Sequence, residues 1–146
     1  MAELWNQWSF WAVAAALLAA LTSLFAKVGV EGLPSNLATL LRTLVVAVAL
    51  SLLLLARGQL QLGQLQGLPA ASVVALVLSG LATGVSWLCY FQALQLGPVS
   101  RVAPIDKLSV VLVAVLGVLV LGEELSPRSW IGVLLMGIGA ALVAWP

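Results

Sequence analysis

Histidine is absent from the 146-residue sequence, and cysteine occurs once, at Cys89. Without imidazole there is no histidine proton relay, and with a single thiol there is neither an intrachain disulfide nor a Cys/His zinc site. No nucleophile stands with a base, so no catalytic residue, metal ligand or cofactor is expected and an enzyme is not the reading. Charge is scarce as well: five acidic and six basic residues make up 8% of the chain and leave a net charge of +1. A nucleic-acid binder needs a basic face that this balance does not supply. Soluble domains are about 25% charged and about 45–50% apolar, whereas 63% of this chain is hydrophobic. Too few polar groups remain to cover a water-facing surface, and a lipid bilayer is the expected surrounding. A span takes roughly 20 residues, so the length admits at most about six or seven spans and no second folded domain.

What is present is a series of apolar runs punctuated by polar residues, Gly and Pro. The interruptions at Lys27 to Ser35, Arg57 to Pro69, Gln95 to Arg101 and Gly122 to Pro127 delimit five segments, near 7–28, 35–56, 70–95, 101–121 and 127–145. Each is long enough to span as a helix, the form in which a lipid-facing backbone satisfies itself. The expected fold is therefore all-α: a polytopic bundle of five transmembrane helices forming one domain over residues 1–146. Local signals agree: Gly97-Pro98 closes the third helix, Gly122 the fourth, and Ser126-Pro127 reads as an N-cap with proline at the first helical position. Trp5, Trp8 and Trp11 mark an interface, and no Lys or Arg precedes Leu17, so the first run reads as a retained span and not a secretory signal. The Gln/Leu-rich connector reads as a short segment on the interface.

An odd number of spans puts the termini on opposite faces. Lys27, Glu31 and Arg101 then share one face, and Glu3, Arg57, Glu123, Glu124 and Arg128 the other. External cations stand two against two, which fixes no orientation; counting the embedded Arg42 and Lys107 makes it four against two. Ionisable groups inside spans are costly and usually face a cavity or one another. Arg42 sits about six residues into the second helix, and Asp106 and Lys107 about five or six into the fourth, roughly 8–9 Å deep at 1.5 Å per residue. Both helices start from the same face, so one polar pocket is expected to hold them. Since i+1 neighbours on a helix do not face each other, Arg42 is the expected partner of Asp106. Lys27 is expected to snorkel. Pro104, just ahead of the charged pair, is expected to break the fourth helix, as discontinuous helices do at transporter solute sites.

Polar stripes complete the candidate site. Ser79, Thr83, Ser86 and Tyr90 recur at helical spacing on the third helix, and Ser35, Thr39, Arg42 and Thr43 group on the second. Trp87 is the one tryptophan well inside a span. Arg42, Asp106, Lys107, Trp87, Tyr90 and Thr83 are accordingly the expected solute-binding residues. Gly132 and Gly139, seven apart on the fifth helix, present a small face for a dimer contact, with Gly80 and Gly84 as a second such pair. Glu123 and Glu124 read as hydrated loop residues.

The run from Trp87 to Gly139, with Tyr90-Phe91-Gln92-Ala93-Leu94, Val102-Ala103-Pro104, Leu121-Gly122-Glu123 and Gly132 to Gly139, resembles the EamA family of the drug/metabolite transporter superfamily. Phe25-Ala26-Lys27 and Leu41-Arg42-Thr43 look like its first two helices. Typical members have ten helices in two inverted halves of five, and this chain resembles one half. The resemblance implies a carrier of small organic solutes such as amino acids or metabolites, often an exporter, in the cell membrane of a prokaryote. It also implies a dimer: an antiparallel homodimer, or a heterodimer with a separately encoded half. A lipid or lipid-carrier flippase component and a non-transporting scaffold subunit are the alternatives. The related small multidrug resistance proteins use a glutamate in their first helix, but here Ala12 to Ala16 carry no carboxylate. Asp106 is then the well-embedded carboxylate available to a proton.

Overall fold

The computed structural model describes residues 7–59 and 68–145. Glu3, Trp5 and most of the Gln/Leu-rich connector lie outside the described residues. Among the described residues six helices run in order: α1 (Trp8–Gly29), α2 (Ser35–Ala56), α3 (Ala70–Leu96), α4 (Val99–Asp106), α5 (Leu108–Leu121) and α6 (Pro127–Ala144). No strand occurs among the described residues. Helices α4 and α5 together make one 23-residue span, Val99–Leu121, so the chain has five helical stretches long and apolar enough to cross a membrane. These match the five segments read from the sequence to within two residues, apart from the split in the fourth.

Helix ends follow from local chemistry. Ser126 accepts a hydrogen bond from the Ser129 backbone N–H at 3.2 Å, and Pro127 opens α6. Gly122 caps α5 with φ at +69°, a left-handed conformation that costs glycine little. That turn lets the Glu123 N–H reach the Gly117 carbonyl at 3.1 Å, closing the last helical turn.

The fourth span is interrupted three residues later than Pro104. Proline sits inside α4, where it offers no N–H to the Ser100 carbonyl, and the helix runs on for two more residues before ending at Asp106. Lys107 forms the junction, its N–H shared between the carbonyls of Ala103 at 3.2 Å and Pro104 at 3.1 Å. The tighter i→i+3 bonding there is what separates α4 from α5.

The chain forms two compact units, one of the residues through Lys27 with those from Leu96 onward, the other running from Val28 to Gln95. In the first, α6 packs on α4 and α5. Val133 is buried there, and a Cβ on Gly137 would lie 3.4 Å from Val111 Cγ2, so glycine allows close approach of α5 and α6. In the second unit, α2 and α3 meet near the start of one and the end of the other. Val30, Ala38, Thr39, Tyr90, Phe91 and Leu94 are buried at this end. Ser35 donates to Gln92 Oε1 at 2.9 Å, and the Gln95 amide donates to the Val30 and Leu33 carbonyls. Residues 43–56 and 70–86 are exposed throughout. Leucines and valines left bare over such lengths suit lipid or a second chain, not water.

Candidate solute site

The second unit places a cation on an aromatic platform. Arg42 is the eighth residue of α2, about 10 Å from its start at 1.5 Å per residue, and its guanidinium carbon lies 3.4 Å from the centre of the Trp87 ring on α3. Trp87 meets Tyr90 edge-on, with centroids 5.5 Å apart at 79°, and Phe91 at 5.7 Å and 59°. Tyr90 and Phe91 are buried and Trp87 is half-buried, so the two inner rings hold the outer one in place. A cation–π contact contributes about 0.5–2 kcal/mol, set against about 2.5–3.5 kcal/mol for an arginine at the centre of a span. The platform thus offsets part of the cost of embedding Arg42. Among the described residues Arg42 has no ion pair.

The flanking hydroxyls are spent locally. Thr39 donates to the Ser35 carbonyl at 2.9 Å and Thr43 to the Thr39 carbonyl at 2.8 Å. Thr83, a turn before Trp87 on the same face of α3, is exposed and donates to the Ser79 carbonyl at 2.8 Å. Its hydroxyl oxygen keeps acceptor capacity, with the proton committed to its own helix.

The first unit carries the other expected site residues. Asp106 Oδ2 pairs with its neighbour Lys107 Nζ at 3.0 Å within this unit. The rule against i+1 pairs holds within a helix, but Asp106 ends α4 and Lys107 is the junction, where the side chains are free to turn toward each other. The lysine side chain is 59% exposed and the aspartate 35%, so in water such a pair would contribute at most about 1 kcal/mol. Lys107 also lines a groove of about 820 Å³ between α1 and α4. Its walls are Ala15, Ala16, Ala19, Ala20 and Leu24 on one side and Val99, Ala103 and Pro104 on the other, with Ser23 and Ser100 adding hydroxyls. The alanine repeat at i and i+4 makes this space, since small side chains on one face of α1 leave α4 uncovered. Near its end Lys27 does not simply snorkel: its Nζ donates to the Gly97 carbonyl at 3.2 Å.

Sequence reasoning passed over two further features. Gln92 and Gln95 tie α3 to the start of α2 and the turn before it, and their spacing of three, which puts them on neighbouring faces, is the signal in the sequence. The Glu123 carboxylate folds back over α5, with Oε2 2.7 Å from where a Cβ on Gly117 would stand. A side chain at 117 would displace that carboxylate. Neither Glu123 nor Glu124 pairs with Arg128 among the described residues. Gly132 and Gly139, in contrast to Gly137, have nothing within 4 Å of an added Cβ, so they stay open for another helix.

Five apolar spans among the described residues define a polytopic membrane protein. The chain belongs to the EamA-like transporter family, whose model matches residues 6–145. It is 50% identical over 139 residues to a protein of Sinorhizobium sp named "Uncharacterized transporter in cobO 3'region", an alignment covering 95% of this chain and 97% of that one. No solved structure matches.

Proposed function

We propose that this chain is one half of a dimeric carrier that exports small organic solutes, amino-acid-like or metabolite-like, across a prokaryotic cell membrane. The observation that carries the proposal is Arg42, held two turns inside a span on Trp87 with no acidic partner among the described residues. A scaffold would gain nothing from so costly a group, whereas a carrier needs a polar contact at depth. The second half is a second copy inserted upside down: five spans place the termini on opposite faces, and balanced external cations permit both insertions. The open glycine face of α6, Gly132 and Gly139, is the proposed contact.

In this reading the Asp106–Lys107 pair at the helix junction and Pro104 take part in transport. Reconstituted into proteoliposomes, Asp106→Asn is expected to lower solute flux about fivefold, equivalent to ~1 kcal/mol in the barrier. Glu123→Gln and Glu124→Gln should stay within about twofold, well under 1 kcal/mol. Equal flux in all three variants would remove Asp106 from the path.

A second reading is favoured by the groove between α1 and α4. A long apolar trough with one lysine at its side also suits a lipid tail and headgroup, as in a lipid or lipid-carrier flippase component. Transfer of labelled lipid between leaflets, with no flux of soluble solutes, would select it.

A further inference from the structure

We propose that Arg42 is an oxyanion receptor, so that the molecule carried bears a carboxylate or a phosphate which pairs with the guanidinium on Trp87. This deepens the carrier reading and rests on it. The guanidinium carbon 3.4 Å above the indole centre means that the ring covers a face of the guanidinium. Its N–H groups lie in the guanidinium plane and radiate from its edge, where stacking does not consume them. Two parallel N–H groups match the two oxygens of a carboxylate, or two of a phosphate, in a bidentate contact that a lysine cannot reproduce.

No group nearby on the same elements competes for that edge. Thr39 and Thr43 direct their protons to carbonyls of α2, and Ser35 directs its own to Gln92. Asp106 is held by Lys107, and Glu31, Glu123 and Glu124 lie outside the helices. Arg42 is half-buried, so its edge remains reachable. An embedded cation with no acidic partner among the described residues repels amines and other cations and takes its counter-charge from a ligand.

The test uses the full chain in phosphatidylcholine nanodiscs with benzoate, phenyl phosphate, benzamide and benzylamine as matched probes, followed by calorimetric titration. The two anions are expected to bind at least about tenfold more tightly than the amide or the amine, the difference a hydrogen-bonded charge pair makes. Arg42→Gln should erase that preference, and Arg42→Lys should weaken anion binding about threefold or more by losing the second hydrogen bond. Trp87→Phe, which keeps the cation but weakens its platform, should fall between wild type and Arg42→Gln. Adding phosphatidylglycerol to the discs separates the sources: competition with benzoate identifies a lipid headgroup as the oxyanion, and its absence a soluble solute. Equal affinity for all four probes, or an anion preference that survives in folded Arg42→Gln, overturns the assignment. Counterflow of the neutral or cationic probe in proteoliposomes would then show that the carrier reading stands without it. Failure of every probe to bind a folded protein overturns the assignment as well, and absence of any counterflow removes the carrier reading with it.

Discussion

Trp87→Ala is expected to lower the stability of the detergent-solubilised protein by about 2–3 kcal/mol and to reduce transport more than any loop substitution. The indole joins α2 to α3 through Arg42 and lies against Tyr90 and Phe91 on its own helix. Truncating a fully buried tryptophan costs about 3–5 kcal/mol, but Trp87 is half-buried, which places the expected loss lower. Between helices in lipid the hydrophobic effect contributes little, so ring contacts and the cation–π pair carry most of the difference. Trp87→Phe retains a ring face with a weaker quadrupole and should lose only about 1 kcal/mol. Thermal unfolding of both variants, followed by circular dichroism, reads this ladder directly. A Trp87→Ala protein as stable as wild type would mean that the platform does not hold Arg42.

The second large effect concerns assembly. Gly132→Leu combined with Gly139→Leu is expected to leave each protomer folded and to dissociate the proposed dimer. An added Cβ at either position meets nothing within 4 Å in the protomer, so the new side chains find room there and obstruct only the proposed partner helix. Gly137→Leu makes the contrast, because its Cβ would lie 3.4 Å from Val111 Cγ2 and a full leucine has no room between α5 and α6. Light scattering of the double variant should return the mass of one 15.2 kDa chain, with helicity preserved and transport lost. Gly137→Leu should instead lower the unfolding temperature. A double variant that remains dimeric would move the interface elsewhere, the open Gly80 and Gly84 face of α3 being the next position to test.

Much of this was legible in the sequence. The spans are bounded by Pro, Gly and charged residues because a bilayer tolerates those only at helix ends, so α2 and α6 begin where Ser35 and Pro127 predicted. Gly122 and Ser126 announced their caps through residue type alone. The residue types at Arg42, Trp87 and Tyr90 mark them as candidates, but their contact with one another is not legible in the sequence. Which face of α2 meets which face of α3 depends on helix rotation, and when nearly every position is apolar no hydrophobic stripe reports it. Depth along a span says nothing of azimuth, and the Asp106–Lys107 pair depends on the helix junction at Lys107, which residue spacing does not report. The fold of Glu123 onto Gly117 was hidden for a related reason, since it depends on the left-handed turn at Gly122 sending the chain back over α5. The groove beside α1 was equally silent, because an alanine run reads alike for tight packing and for open space.

The central claim is that a five-span protomer works with an inverted copy of itself. It is tested most directly by labelling single cysteines, introduced in the α5–α6 loop at Glu124 and at the C-terminal Trp145, in a Cys89→Ala background. A membrane-impermeant maleimide is applied to intact and then to permeabilised cells. Under dual insertion each position reacts in part from outside and is completed only after permeabilisation, with about half the chains in each orientation if the balanced external cations govern insertion. Labelling of each position from one side alone would contradict the antiparallel homodimer and require a separately encoded partner.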